Sequence, residues 1–353
     1  MSLDFVYQGS SSRIVFGPGK SATAPTWLDK LGCSRALVLS TPHQKADAEA
    51  LAAAFGAAAV GVFAEAAMHT PVDVTDKAVA AVRAADADCV VALGGGSTTG
   101  LGKAIAYRTD LAQIVIPTTY AGSEVTPILG QTENGEKTTL RSPRVLPEIV
   151  IYDPELTLGL PVAMSVTSGL NAIAHAAEGL YAPDANPITS LMAVEGLRAM
   201  KEALPVIIAE PRSGEARANA LYGAWLCGTV LGQAAMSLHH KICHVLGGSF
   251  NTPHAETHSI MLPHTVSFNA EAAATALRPL GQVFGETPGR ALFDFAQSLG
   301  SPMSLKEIGV SDADLDNAAE IAARNPYANP RPIDRASLRD LLQEAWNGQR
   351  PAI

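Results

Sequence analysis

Four short apolar runs, at 36–39, 60–63, 89–93 and 114–116, alternate with amphipathic stretches at 44–55, 72–86 and 98–107. A strand with one wet face alternates apolar and polar residues. These runs do not, so each must be covered on both faces. The intervening helices supply that cover, and the order strand–helix–strand predicts a parallel α/β sheet. Glu133-Asn134-Gly135-Glu136, between two Thr-containing runs, predicts a hairpin inserted after the sheet. A last strand is expected at 149–152, running into a turn at Asp153-Pro154.

From Leu160 onward the pattern changes to long Ala-, Leu- and His-bearing helical stretches, punctuated by Pro and Gly. The boundary falls within 155–162. The expectation is an α/β dinucleotide-binding domain at 1–158 and an all-helical catalytic domain at 159–353, with a site in the cleft between them. A chain of 353 residues, 47% of them hydrophobic, can fill two such cores.

The net charge of −9 argues against a nucleic-acid partner, which would need a basic face. Cys33, Cys89, Cys227 and Cys243 are widely spaced and form neither a disulfide framework nor a CxxC knuckle. The N-terminus lacks an export signal, and no apolar run approaches the ~20 residues that cross a bilayer. A cytoplasmic protein without membrane partners is expected.

Gly94-Gly95-Gly96-Ser97 directly follows the third apolar run. Glycines let a backbone approach a pyrophosphate closely, and the helix start beyond offers free amides. Ser97 or Thr98 is a candidate cap, and Lys103 stands where it could reach a ribose or phosphate. Gly17-Pro18-Gly19 reads as an early turn rather than a second phosphate loop. Thr118, Thr119 and Ser123, after the next strand, offer hydroxyls to a nicotinamide or phosphate. Ser40 and Thr41 end the first strand, where such sheets meet the adenosine ribose. No acid stands there to repel a 2′-phosphate, so NADH and NADPH are both expected to be accepted.

Seven of the nine histidines fall between 175 and 264. Asn171 and His175 share a helix face at i, i+4, with Glu178 approximately in line; His240 and His244 share another. His254 follows Asn251-Thr252-Pro253, and His258 and His264 come next.

These segments, in this order, resemble the iron-containing alcohol dehydrogenase superfamily over nearly the whole chain. The resemblance implies an NAD(P)-binding first domain, a helical second domain holding one divalent metal, and a homodimer. His175, His240 and His254 match three of the family's metal ligands. The fourth is an Asp, and this chain has Asn171; the glycine loop's Asp is here Gly100. An amide is a weak neutral ligand where a carboxylate both binds and neutralises a cation. Metal loss is therefore expected, although three histidines can hold zinc.

The departures, with Leu238-His239-His240-Lys241, Ala255-Glu256-Thr257-His258 and the Pro-rich stretch 325–332, are similar to one branch of that superfamily. Its members reduce the activated double bond of maleylacetate to 3-oxoadipate with NADH or NADPH, in bacterial breakdown of aromatic rings. The resemblance then implies a dicarboxylate substrate. Hydride reaches the alkene carbon β to the ketone, and the enolate is protonated at the α carbon. His244 and Tyr327 are the candidate proton donor and enolate stabiliser, with His175, His240 and His254 shaping the site. Lys241, Arg331 and Asn171 are the candidate substrate contacts. Ordinary alternatives stand beside them: a solvated helix lysine, an arginine pinning a loop, a core tyrosine. The rival functions are a metal-dependent alcohol or polyol dehydrogenase, a non-catalytic dinucleotide-binding regulator, and a metal-dependent cyclase on a related fold.

Overall fold

In the computed structural model, which describes residues 4–133, 136–324 and 327–353, every residue of Cys89–Gly94 is buried. Cys89, Val91 and Leu93 join one apolar cluster with Val38, Ile114 and Ile116. Val90 and Ala92 join another on the opposite face, with Leu37, Leu39, Leu101, Ile105 and Val115. Two covered faces explain why this run carries no polar residue.

The strands are β1 (Arg13–Phe16), β2 (Ala36–Leu39), β3 (Ala59–Phe63), β4 (Cys89–Gly94), β5 (Ala112–Pro117), β6 (Ile128–Glu133), β7 (Glu136–Arg141) and β8 (Ile149–Tyr152). Six form one sheet in the order β1-β8-β5-β4-β2-β3, and every pairing is parallel. Helices α1 (Ala24–Lys30), α2 (Lys45–Phe55), α3 (Val72–Ala84) and α4 (Gly96–Thr109) connect them. The direction of winding reverses between β2 and β4. In doubly wound sheets, ligands bind outside the carboxyl ends of the strands at that reversal. Ser40-Thr41 leaves one of those ends, and the three glycines leave the other.

The expected hairpin is present as β6 and β7, paired antiparallel in a two-stranded sheet; its turn residues Asn134 and Gly135 lie outside the described residues. β1 and α1 are additions to the expected pattern. β1 is an edge strand of four partly exposed residues, too short and too polar to stand out. Gly17-Pro18-Gly19 is a turn, held because Asp153 accepts hydrogen bonds from the Gly19 amide (3.0 Å) and the Ser21 amide (2.9 Å).

Residues Gly9–Leu160 form one unit; Pro161–Ile353 form the second together with the N-terminal stretch up to Gln8. Those first residues were expected with the α/β domain, but Tyr7 Oη lies 3.5 Å from Gln233 Nε2 in the helical unit. Among the described residues the second unit contains no strand. Its helices are α5 (Val162–Leu180), α6 (Pro187–Ala209), α7 (Gly214–Gln233), α8 (Leu238–Phe250), α9 (His254–Asn269), α10 (Ala274–Phe284), α11 (Pro288–Ser298), α12 (Asp314–Ala323) and α13 (Arg335–Asn347). α5 is central, buried at every residue from Ser165 to Leu180. At Gly169 the neighbouring helix comes so close that a Cβ would stand 2.7 Å from Leu204 Cδ2. Cys89, Cys227 and Cys243 are buried thiols and Cys33 is partly exposed; none is in a disulfide. No described helix is long and apolar enough to cross a membrane.

Candidate active site

In the α/β unit, β4 runs into α4 through Gly94, whose φ of +153° suits glycine. A Cβ on Gly94 would lie 2.4 Å from Thr98 Oγ1, and one on Gly95 would lie 2.8 Å from Thr119 Cγ2. Gly95 is itself the N-cap, and no side chain caps α4, so neither Ser97 nor Thr98 has the expected capping role. An uncapped helix start behind glycine is open to an anion. The hydroxyls of Ser40, Thr98 and Ser123 are buried without hydrogen-bond partners. Thr118 Oγ1 accepts from Gln44 Nε2 at 3.1 Å. Glycine cradle, open helix start and orphaned hydroxyls fit a dinucleotide.

Lys103 does not meet its expectation. Its ammonium, 1% exposed, donates within the protein to the carbonyls of Ser123, Thr126 (2.7 Å) and Ile128 (2.8 Å) and to Thr126 Oγ1 (2.9 Å). Three protons meeting four oxygens leave none for a phosphate. Burial pushes its pKa down to about 7, against the pull of Glu124. Spacing along the helix could not reveal that the side chain turns under the 123–128 loop. Gly100 faces Thr70, whose Oγ1 would be 2.3 Å from a Cβ there. Thr70, at φ +48°, occupies the space that the family's aspartate would need.

In the helical unit, α5 contributes Asn171, His175 and Glu178, α8 contributes His239, His240, Cys243 and His244, and α9 contributes His254, His258 and Thr265. Ring centroids are 5.2 Å apart for His175–His240, 5.1 Å for His240–His258, 6.1 Å for His240–His244 and 4.4 Å for His254–His258. The structure thus gathers six of the histidines, His239 among them, into one cluster centred on His240 and His258, with His244 and His254 at the exposed rim. Asn171 Oδ1, His175 Nδ1, His240 Nε2 and His258 Nε2 are buried without protein partners. Burial pushes the pKa of His239 down to about 3 and holds His175 and His258 well below the imidazole range, neighbouring rings adding to it. These three rings are neutral at physiological pH.

Glu178, His239, His258 and Thr265 had no assigned role in the sequence reading. The i, i+4 spacings His239–Cys243 and His254–His258 were the available signal for a second buried face.

Tyr327 packs partly buried against the core formed by α8, α9, α12 and α13, with its Oη unpartnered. Burial, and then the charge of Glu178, raises its pKa, so it remains a phenol. Lys241 Nζ stands 5.9 Å from its ring centroid. The following loop is pinned: Asn329 Nδ2 donates to Asn269 Oδ1 at 2.8 Å, and Asn269 Nδ2 donates back at 3.0 Å. The Arg331 guanidinium is exposed and stacks 4.1 Å over the Phe268 ring. Asn325 and Pro326 lie outside the described residues.

A divalent metal held in the family's manner does not fit these donors. Asn171 supplies no charge, and the carboxylate on the same helix, Glu178, is taken up by His240 Nδ1. Among the described residues, His239, Cys243 and His258 are the one His/Cys/acid group whose ligand atoms lie within 4.8 Å of one another. The matched trio of His175, His240 and His254 does not form such a group.

Comparison with known proteins identifies the family. The iron-containing alcohol dehydrogenase profile matches residues 11–154, and the C-terminal profile of the Fe-containing alcohol dehydrogenase family matches residues 165–346. The chain is 65% identical over 347 residues to a maleylacetate reductase from Rhizobium sp., covering 98% of this chain and 99% of that one. It is 52% identical to another from Burkholderia cepacia, covering 99% of each. The crystal structure of maleylacetate reductase from Agrobacterium tumefaciens superposes with a TM-score of 0.96, at 66% identity over 99% of both chains. The chain belongs to the iron-containing alcohol dehydrogenase family, on its maleylacetate reductase branch.

Proposed function

We propose that this chain reduces the carbon–carbon double bond of maleylacetate to give 3-oxoadipate, using NADH or NADPH and no metal. The observation that carries the reading is full-length identity of 65% with a relative named for that reaction. The site's chemistry supports it. Ser40, Thr41, Gly94–Ser97, Thr98, Thr118, Thr119 and Ser123 would hold the dinucleotide, whose nicotinamide would supply the hydride for the alkene carbon β to the ketone.

This chain's own residues then manage charge and one proton. Asn171, where a carboxylate would repel a dicarboxylate substrate, presents a neutral amide. Half-buried Lys241 offers a cation for one carboxylate. The Tyr327 phenol can donate to the ketone oxygen as negative charge develops there. His244, at the exposed rim beside His240, is placed to deliver the proton that ends the reaction at the α carbon. The same reading makes the enzyme a cytoplasmic homodimer, the form common in its family. A substrate panel tests it: NADH consumption is expected with maleylacetate, and no reduction of NAD+ with short alcohols. Alcohol oxidation without maleylacetate reduction would overturn it.

A further inference from the structure

The carboxylate of Glu178 is neither proton donor nor substrate contact above, yet it is 1% exposed and takes hydrogen bonds from the start of α8. That helix lacks a cap of its own. The Ser237 hydroxyl at its N-cap turns away to Ala328 O and Asn329. Glu178, reaching across from α5, fills the gap: Oε1 accepts from the His239 amide at 2.7 Å and Oε2 from the His240 amide at 3.4 Å. A carboxylate is favourable there, against unpaired amides and the positive end of the helix dipole.

The same Oε2 also accepts from His240 Nδ1. Two amide protons at the positive end of α8 favour the carboxylate form of Glu178, and although burial pushes this carboxyl up it is held below its ordinary value. An ionised carboxylate only accepts hydrogen bonds. The shared proton therefore sits on Nδ1, and the nitrogen left over is Nε2, buried and without a protein partner. A flipped ring would have to put a proton on Nε2 to satisfy the carboxylate, offering the site a different atom from a different place.

Resting on the reduction proposed above, the geometry points to Glu178 as a positioning residue that fixes the tautomer and orientation of His240, so that Nε2 is the atom offered to substrate. Capping α8 and choosing the tautomer are one act, performed by one side chain. The ring cannot be reset without loosening the helix that carries it.

The test uses ¹⁵N-histidine-labelled protein, with long-range ¹H–¹⁵N spectra to read each ring's tautomer and His240→Asn to assign the signal. In the wild type, His240 is expected to carry its proton on Nδ1. In Glu178→Gln the carboxamide can donate as well as accept, so the Nε2–H form should gain population. The kcat for maleylacetate should then fall by up to roughly 10⁴-fold, the scale seen when a carboxylate-to-amide change selects the wrong tautomer. KM for NADH should not move. A wild-type His240 protonated on Nε2 overturns the inference, and so does unchanged kcat in folded Glu178→Gln. Should that variant not fold, the wild-type tautomer decides alone. Because the tautomer is read without substrate, an Nδ1–H ring in a protein inert to maleylacetate would sink the proposed reaction and leave the positioning intact.

Discussion

His258 Nδ1 lies 2.9 Å from His239 Nε2, and the direction of the hydrogen bond between them is set two residues away. Thr265 Oγ1 donates its single proton to the Met261 carbonyl at 2.9 Å, so it must accept from His239 Nδ1, also at 2.9 Å. His239 Nε2 is then bare and accepts from His258 Nδ1–H. His258, like His240, is left offering Nε2.

Thr265→Val removes the acceptor that orders this chain and strands a buried N–H, at a cost of about 1–3 kcal/mol. Denaturant unfolding should show that loss, and the His239 ring signal should shift to a mixed tautomer. Unchanged stability with an unchanged His239 spectrum would mean that the threonine does not order the chain.

The buried neutral rings make the fold acid-sensitive. His264 has both ring nitrogens unpartnered, and burial holds its pKa at about 4, against 6.5 when unfolded; His239 is held at about 3. Between those values and 6.5 the unfolded chain binds protons that the folded one refuses. Stability is therefore full above pH 6.5 and falls as pH drops, by about 1.4 kcal/mol per unit per ring. His264→Leu should flatten this fall between pH 6.5 and pH 4. Equal slopes for variant and wild type would show that His264 takes up its proton in the folded state.

Two substitutions separate cofactor binding from folding in the α/β unit. A Cβ on Gly96 meets nothing closer than Ala121 Cβ at 3.9 Å, so Gly96→Val should fold. It should raise KM for NADH by about tenfold or more, a binding loss of about 1.4 kcal/mol, and spare KM for the keto acid. Lys103→Met strands three carbonyls instead and should lower the melting temperature. A Lys103→Met protein with normal stability but weak NADH binding would restore that lysine as a cofactor contact.

The sheet was legible because strands covered on both faces leave pure apolar runs, as 89–93 does. β1 was not, since an edge strand opening on Arg13 looks like loop. Helical spacing paired His240 with His244 correctly, their ring centroids 6.1 Å apart. It could not show which neighbour each ring bonds: His239 and His240 are adjacent in sequence but take different partners, Thr265 and Glu178. Direction was also hidden for Lys103 and Arg331, whose long side chains turn to a buried loop and to Phe268.

His244→Asn and Tyr327→Phe should each lower kcat by roughly 10²–10⁴-fold, the usual scale for general acid–base catalysis. NADH fluorescence titration should give wild-type affinity for both. Near wild-type kcat in the two variants would move the proton delivery elsewhere in the site.

The central claim is reduction of maleylacetate by NADH or NADPH with side chains and no metal stabilising the enolate, at a site that among the described residues shows no carboxylate free for a metal. Its most direct measurement is turnover of maleylacetate with NADH by protein dialysed against EDTA, with its metal content determined on the same sample. The account predicts undiminished turnover at far less than one equivalent of iron or zinc. Turnover that vanishes on chelation and returns with one equivalent of either metal would contradict it.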